Sequence, residues 1–132
     1  MHVVAHGIDL VETARVAAVH ARHGERFLER VFTPGEQAYC LERKRSREHL
    51  AARFAAKEAV FKALGTGWRD GIAWTDVEVV NAPGGAPSVR LAGRCARIAA
   101  EQGLSAFLLS ITHTADHAMA SVIALGEGPA AD

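Results

Sequence analysis

Three residues of this 132-residue chain have side chains that could do phosphate or metal chemistry together: Asp9, Glu58 and Lys62. Carboxylates are hard oxygen donors suited to a divalent cation, and an ammonium is a compact charge suited to a phosphate. Glu58 and Lys62 lie one helical turn apart in RFAAKEAVFKALG, Arg53 to Gly65. At about 100° per residue, Ala55, Ala56, Ala59, Val60, Ala63 and Leu64 cover one broad apolar face, and Phe54 and Phe61 form a second ridge. The two charges fall in the slot between them. An acid–base pair at this spacing is commonly a solvated helix pair worth roughly 0.2–0.5 kcal/mol. Apolar rows on both sides favour a cleft instead, where a charge needs a partner such as a metal or phosphate.

The third residue must come from another element. His2 to Ile8 carries Val3, Val4 and Ile8, fit for a strand, with Gly7 allowing a close approach before Asp9. Asp9 is expected where strand gives way to helix. Asp9-Leu10-Val11-Glu12 has the capping-box spacing, so Asp9 as helix cap stands beside Asp9 as cation ligand. The helix that follows, about Glu12 to His23, turns Val16 and Val19 inward. Arg15, Arg22 and then Arg26 lie along or just beyond it, as a solvated face or as a dock for an acidic partner.

Phe27, Leu28, Val31 and Phe32 read as a short helical piece of core. Thr33-Pro34-Gly35-Glu36 is a strong start for a helix from about Pro34 to Arg43. Arg43, Lys44, Arg45 and Arg47 make a basic corner before the long helix, fit for solubility or for a phosphate. After the αL stop at Gly65, the glycine-rich run through Trp68 to Gly71 reads as a mobile loop. Asp76 to Val80 and Ser88 to Leu91 alternate around Pro83-Gly84-Gly85, which makes a hairpin. Gly93 to Gln102 is a short amphipathic helix. Phe107 to Thr112 and Met119 to Leu125 form a second strand pair, and Gly126 to Asp132 is expected to be a flexible tail after a single domain of residues 1–125. His113 and His117 lie in the strand connection, where an i,i+4 spacing does not build a zinc site.

Composition narrows the class. A hydrophobic content of 49% is globular, and fifteen basic residues cancel fifteen acidic ones, which gives no reason to expect a nucleic-acid or membrane partner. Cys40 and Cys95 lack metal or redox spacing, so reduced thiols in a cytoplasmic protein are expected. No apolar run is long enough to cross a bilayer, and the N-terminus lacks the features of a signal peptide.

Gly7-Ile8-Asp9 with Glu12 and Arg15, Phe32 to Glu36, LAARFAAKEAVFKALGTG at 50–67 and SITHT at 110–114 together resemble the holo-acyl-carrier-protein synthases, the small bacterial phosphopantetheinyl transferases. The resemblance runs from about Val3 to Leu125. Ala5 departs from it, since members often have glycine there. The resemblance implies an α+β fold with an antiparallel-rich sheet packed on the Ser46 to Leu64 helix. It implies transfer of the phosphopantetheine arm of coenzyme A to a serine of an acyl carrier protein, with magnesium, releasing adenosine bisphosphate. By position, Asp9 and Glu58 match the metal ligands and Lys62 the lysine facing the phosphates. Arg53, His113 and Thr114 match residues that meet the coenzyme, and Arg15, Arg22 and Arg26 the face that meets the acidic carrier. A homotrimer with sites between subunits is likewise implied.

The residues alone leave the general base open among Glu58, a water on the metal and an adjacent carboxylate. Two rival activities share some features. A magnesium-dependent nucleotide pyrophosphohydrolase would use the same carboxylates, but such enzymes usually carry denser acidic clusters. A non-catalytic module binding RNA or an acidic protein through Arg43 to Arg47 leaves Glu58 and Lys62 unexplained.

Overall fold

A computed structural model describes residues 1–66 and 71–130. The glycine-rich loop expected around Trp68 and the last two residues of the expected tail therefore lie outside the described residues. Strand β1 (His2–Glu12), helices α1 (Thr13–His23), α2 (Glu25–Val31), α3 (Pro34–Leu41) and α4 (Ser46–Leu64), and then a 3-10 turn at Trp74–Asp76 form the first half. Strands β2 (Val77–Asn81) and β3 (Pro87–Leu91), helix α5 (Gly93–Glu101), and strands β4 (Leu104–His113) and β5 (His117–Gly126) complete the chain.

The fold is α+β, as expected. An antiparallel sheet of order β1-β5-β4 lies against α4, and β2 and β3 pair separately as the expected hairpin. Most of α4 is buried, which explains its alanine-rich sequence: small side chains let sheet and helix backbones come close. The facing side of β5 is small too, with Ala118, Ala120, Val122 and Ala124 all buried. Gly7 of β1 is the tightest point, where a Cβ would overlap the Ala59 carbonyl and sit 2.8 Å from the Ala63 nitrogen. Gly65 ends α4 in the left-handed region, at φ 73°.

On its other face the same sheet is open. Ile8 is 50% exposed, Leu10 62%, Leu108 55% and Met119 38%.

Several boundaries differ from expectation: β4 and β5 each begin earlier and α3 ends at Leu41, and two further differences trace to strand pairing. Asp9 is not a helix cap: β1 continues to Glu12 because Asp9 pairs with Ala120 and Glu12 with His117 on β5. Glu12 is itself the N-cap of α1 and makes no side-chain capping bond. At the other end, Gly126 is still within β5, and the Gly128 N–H reaches the Gly103 carbonyl at 3.2 Å, so the tie to the sheet extends past Leu125. The Thr33 capping box is present as expected, with the Glu36 N–H donating to Thr33 Oγ1 and the Thr33 N–H to Glu36 Oε1.

Candidate active site

Period-two alternation turns Gly7, Asp9 and Val11 of β1 toward α4 and Ile8 and Leu10 away. Asp9 thus arrives beside the helix position that carries Lys62. Lys62 Nζ donates to Asp9 Oδ1 at 2.9 Å and to the Ile8 carbonyl at 3.0 Å. The lysine side chain is 55% exposed and the aspartate only 13%. The ammonium is therefore tethered at the edge of the site with room to turn, and the carboxylate is recessed.

One turn earlier on α4, Glu58 shares with Asp9 the lining of a cleft of about 520 Å³. Its other walls come from the end of β1 (Leu10, Val11, Glu12), α1 (Arg15, Val16, Val19), α2 (Phe27), Phe54 of α4 and His117 at the start of β5. Burial raises the Glu58 carboxyl above its ordinary value, Asp9 raises it further, and Lys62 opposes both. Two carboxylates that repel each other at the end of a partly apolar cleft form a site whose strain a cation relieves. Among the described residues no group of three or more His, Cys, Asp or Glu side chains gathers around one point. An ion here would have two protein carboxylates and open positions for other oxygens, the arrangement magnesium favours beside phosphates.

The remaining expected site residues are spread more widely. Arg15 lines the cleft, and Arg22 and Arg26 are exposed beyond it. Val19, expected to face inward, is 42% exposed at the cleft wall. His113 ends β4, with Nδ1 3.0 Å from Glu48 Oε1 and its ring edge-on to His49. Thr114 caps the β4–β5 turn, its Oγ1 accepting from the Asp116 and His117 N–H groups. Neither His113 nor Thr114 lines the cleft of its own chain. Arg53 is not there either: it is 4% exposed, donates from Nη2 to Asn81 Oδ1 at 2.6 Å and lies 3.9 Å over the Tyr39 ring. Arg43 stacks on Tyr39 as well and donates to its carbonyl, so part of the basic corner is tied down locally.

Sequence reasoning missed Lys57. It is completely buried beside Glu58 in the chain, and its Nζ lies 2.7 Å from Glu36 Oε1, both side chains at 0% exposure. Burial draws the ammonium down from its ordinary value, and Glu36 opposes that. The available signal was a lysine on the buried face of a helix whose neighbours there are alanine and valine.

Comparison with known proteins gives a consistent result. The family profile of the 4'-phosphopantetheinyl transferase superfamily matches residues 5–122. A holo-(acyl-carrier-protein) synthase of Desulforudis audaxviator is 52% identical over 120 residues, covering 91% of each chain. That of Solibacter usitatus is 50% identical over 122 residues, covering 92% of this chain and 97% of the relative. Among solved structures, the holo-(acyl-carrier-protein) synthase of Neisseria meningitidis superposes with a TM-score of 0.85 at 30% identity, covering 93% of this chain and 98% of that one. The Helicobacter pylori enzyme, solved in complex with coenzyme A, gives 0.80 at 30% identity over 91% of this chain and 99% of its own. With Asp9, Glu58 and Lys62 gathered at one strand–helix crossing, and with relatives matched over nearly their whole length, the chain belongs to the 4'-phosphopantetheinyl transferase superfamily, among its holo-acyl-carrier-protein synthases.

Proposed function

We propose that this chain transfers the 4'-phosphopantetheine arm of coenzyme A to a serine hydroxyl of an apo-acyl carrier protein, with magnesium held by Asp9 and Glu58. The observation that carries the reading is that Asp9 and Glu58, from a strand and a helix far apart in sequence, line one cleft, with Lys62 bonded to Asp9 beside it. The serine oxygen forms a bond to the pantetheine-side phosphorus, and the bond from that phosphorus to the bridging oxygen breaks. Adenosine 3',5'-bisphosphate leaves with the electron pair, and the serine proton passes to a base.

Phosphoryl transfer gains most of its rate from positioning and charge neutralisation. When bound, magnesium supplies that neutralisation on the pyrophosphate. Asp9 and Glu58 fit it as hard, mutually repelling oxygen donors. Lys62, held by Asp9 and the Ile8 carbonyl, is placed to follow the charge that develops on the phosphate oxygens. The apolar wall of Val16, Phe27 and Phe54 lowers the polarity beside the two carboxylates, which strengthens their hold on a cation.

Arg15, Arg22 and Arg26 form the docking face for an acidic carrier. The open sheet face, with Ile8, Leu10, Leu108 and Met119 exposed, supports assembly into a homotrimer, whose number comes from the family resemblance. Exposed His113 and Thr114 then reach the coenzyme bound at a neighbour's cleft. Arg53 joins them only if α3 and the Tyr39 ring part to uncover it. Two free, buried cysteines suit a reducing cytoplasmic setting; burial pushes Cys40 up to about 11 and Cys95 to about 12, which keeps both as thiols. No helix among the described residues is long and apolar enough to cross a membrane.

The test is intact-mass measurement of an apo carrier protein incubated with the chain, coenzyme A and magnesium. A gain of one phosphopantetheine is expected, and hydrolysis of coenzyme A without carrier would point to the pyrophosphohydrolase reading instead. Light scattering is expected to give a trimer, and mixing the inactive variants Glu58→Ala and His113→Ala to restore partial activity. Verified hybrids without recovery would refute the shared site.

A further inference from the structure

A buried ion pair is a poor way to gain stability, because desolvating two charges costs about as much as their attraction returns, and apolar residues of the same volume often do as well. The Lys57–Glu36 pair therefore calls for another explanation. Lys57 Nζ has three oxygen acceptors: Glu36 Oε1 at 2.7 Å, the Trp74 carbonyl at 3.2 Å and the Val77 carbonyl. Glu36 is held in turn, with Oε2 accepting from the Val79 N–H at 2.8 Å and Oε1 from the Thr33 N–H at 2.9 Å. One ammonium thus hooks the middle of α4 to the start of α3 and to β2. A greasy contact would tolerate a small rotation of the helix. Directional bonds to three fixed acceptors do not.

Lys57 and Glu58 are consecutive, so their side chains leave the helix about 100° apart. Fixing the azimuth of one fixes that of the other. A second restraint acts from the strand, where Gly7 of β1 lies against Ala59 and Ala63 so closely that no side chain fits between. Glu58 stands between these two restraints and faces the strand that carries Asp9.

We propose that the Lys57–Glu36 pair is a positioning device for the metal site: it fixes the rotation of α4 about its axis, so that Glu58 is held opposite Asp9. The proposal rests on the reading of Asp9 and Glu58 as the metal pair. Neither Lys57 nor Glu36 touches substrate or ion; both act through Glu58.

The experiment is a manganese(II) titration of the purified protein with saturating coenzyme A, in which free ion is followed by its electron paramagnetic resonance signal. In Lys57→Met/Glu36→Gln, which removes both charges at nearly constant volume, the manganese dissociation constant is expected to rise about tenfold, as for loss of a group that orients a ligand. Circular dichroism and the metal-free affinity for coenzyme A should stay at wild-type values. Ile98→Ala, a core truncation on α5, is the control for a purely structural effect; it should lower the melting temperature and leave manganese binding unchanged. Glu36→Asp keeps both charges and shortens the tie by one methylene, so it tests the idea if the double variant does not fold, with a smaller rise expected. Unchanged manganese affinity in a folded variant of the pair, or an equal rise in Ile98→Ala, overturns the proposal and leaves the metal reading standing. Undiminished manganese binding in Glu58→Gln overturns the metal reading itself.

Discussion

Replacing Gly7 with alanine tests whether the site depends on how closely β1 approaches α4. The added Cβ would overlap the Ala59 carbonyl and lie 2.8 Å from the Ala63 nitrogen, both backbone atoms of α4 rather than ends of flexible side chains. Ordinary contact needs about 3.5 Å, so the Ala63 contact alone asks strand and helix to separate by ~0.7 Å, and relieving the Ala59 overlap asks for more than ~1 Å. Overpacking of this kind costs about 1–3 kcal/mol of stability. The larger effect falls on the chemistry, because Asp9 is two residues along the displaced strand while Glu58 and Lys62 stay with the helix. A displacement near 1 Å costs on the order of a hundredfold in rate, or about 2.7 kcal/mol in the barrier. Urea unfolding gives the first quantity, and initial rates of carrier modification at saturating coenzyme A give the second. The expected outcome is a folded protein, moderately destabilised and slower by about two orders of magnitude. A Gly7→Ala protein with wild-type rate would show that the strand–helix spacing does not set the Asp9–Glu58 geometry.

Three further outcomes follow from the site. Asp9→Asn should abolish magnesium-dependent transfer while changing unfolding free energy by no more than about 1 kcal/mol, since only a partly exposed pair with Lys62 is lost and no helix cap is involved; an active variant would contradict the ligand assignment. Glu58→Gln should be stabilising without metal at neutral pH. Burial and Asp9 raise the Glu58 carboxyl in the fold, so its contribution is fully present below the unfolded value and declines as pH rises through the folded one. The melting-temperature gain of Glu58→Gln over wild type should accordingly vanish near pH 4 and grow toward pH 7, and a pH-independent difference would refute the assigned cause. Reversing Arg15, Arg22 or Arg26 to glutamate should weaken carrier use far more than coenzyme A binding, and wild-type carrier affinity should fall with ionic strength; salt-independent affinity would remove the docking face.

Much of this arrangement was legible because it is local. The period of α4, its stop at Gly65, the Thr33 capping box and the slot between Phe54 and Phe61 follow from residues a turn or two apart. The misreading of Asp9 shows where local rules stop. Its spacing to Glu12 suits a capping box, but β5 pairs along the whole of β1 and holds Asp9 extended, and no signal within ten residues of Asp9 reports that pairing. Lys57 was hidden for a similar reason. Its partner Glu36 already had a sufficient local role in the capping box, and the second use of the same carboxylate depends on α3, α4 and β2 meeting in space.

The division of labour within β1 ties assembly to chemistry. Asp9 faces α4 and the cleft, while its neighbours Ile8 and Leu10 are exposed on the other side of the sheet, Leu10 also bordering the cleft. Buried residues of β1 and β5 packed against α4 are mostly small, and the open face carries exposed Ile8, Leu10, Leu108 and Met119 beside the His6–Ser121 pair, so burial of the bulky apolar side chains is left to whatever covers that face. In the proposed trimer the cover is another copy of the chain. Its contacts would press on Ile8 and Leu10, on either side of the aspartate in the same strand. A strand has no slack at this point, because Gly7 is already at the limit of approach to Ala59 and Ala63. Covering the outer face in that trimer would bear directly on the distance between Asp9 and Glu58, a physical reason for the proposed site to depend on assembly.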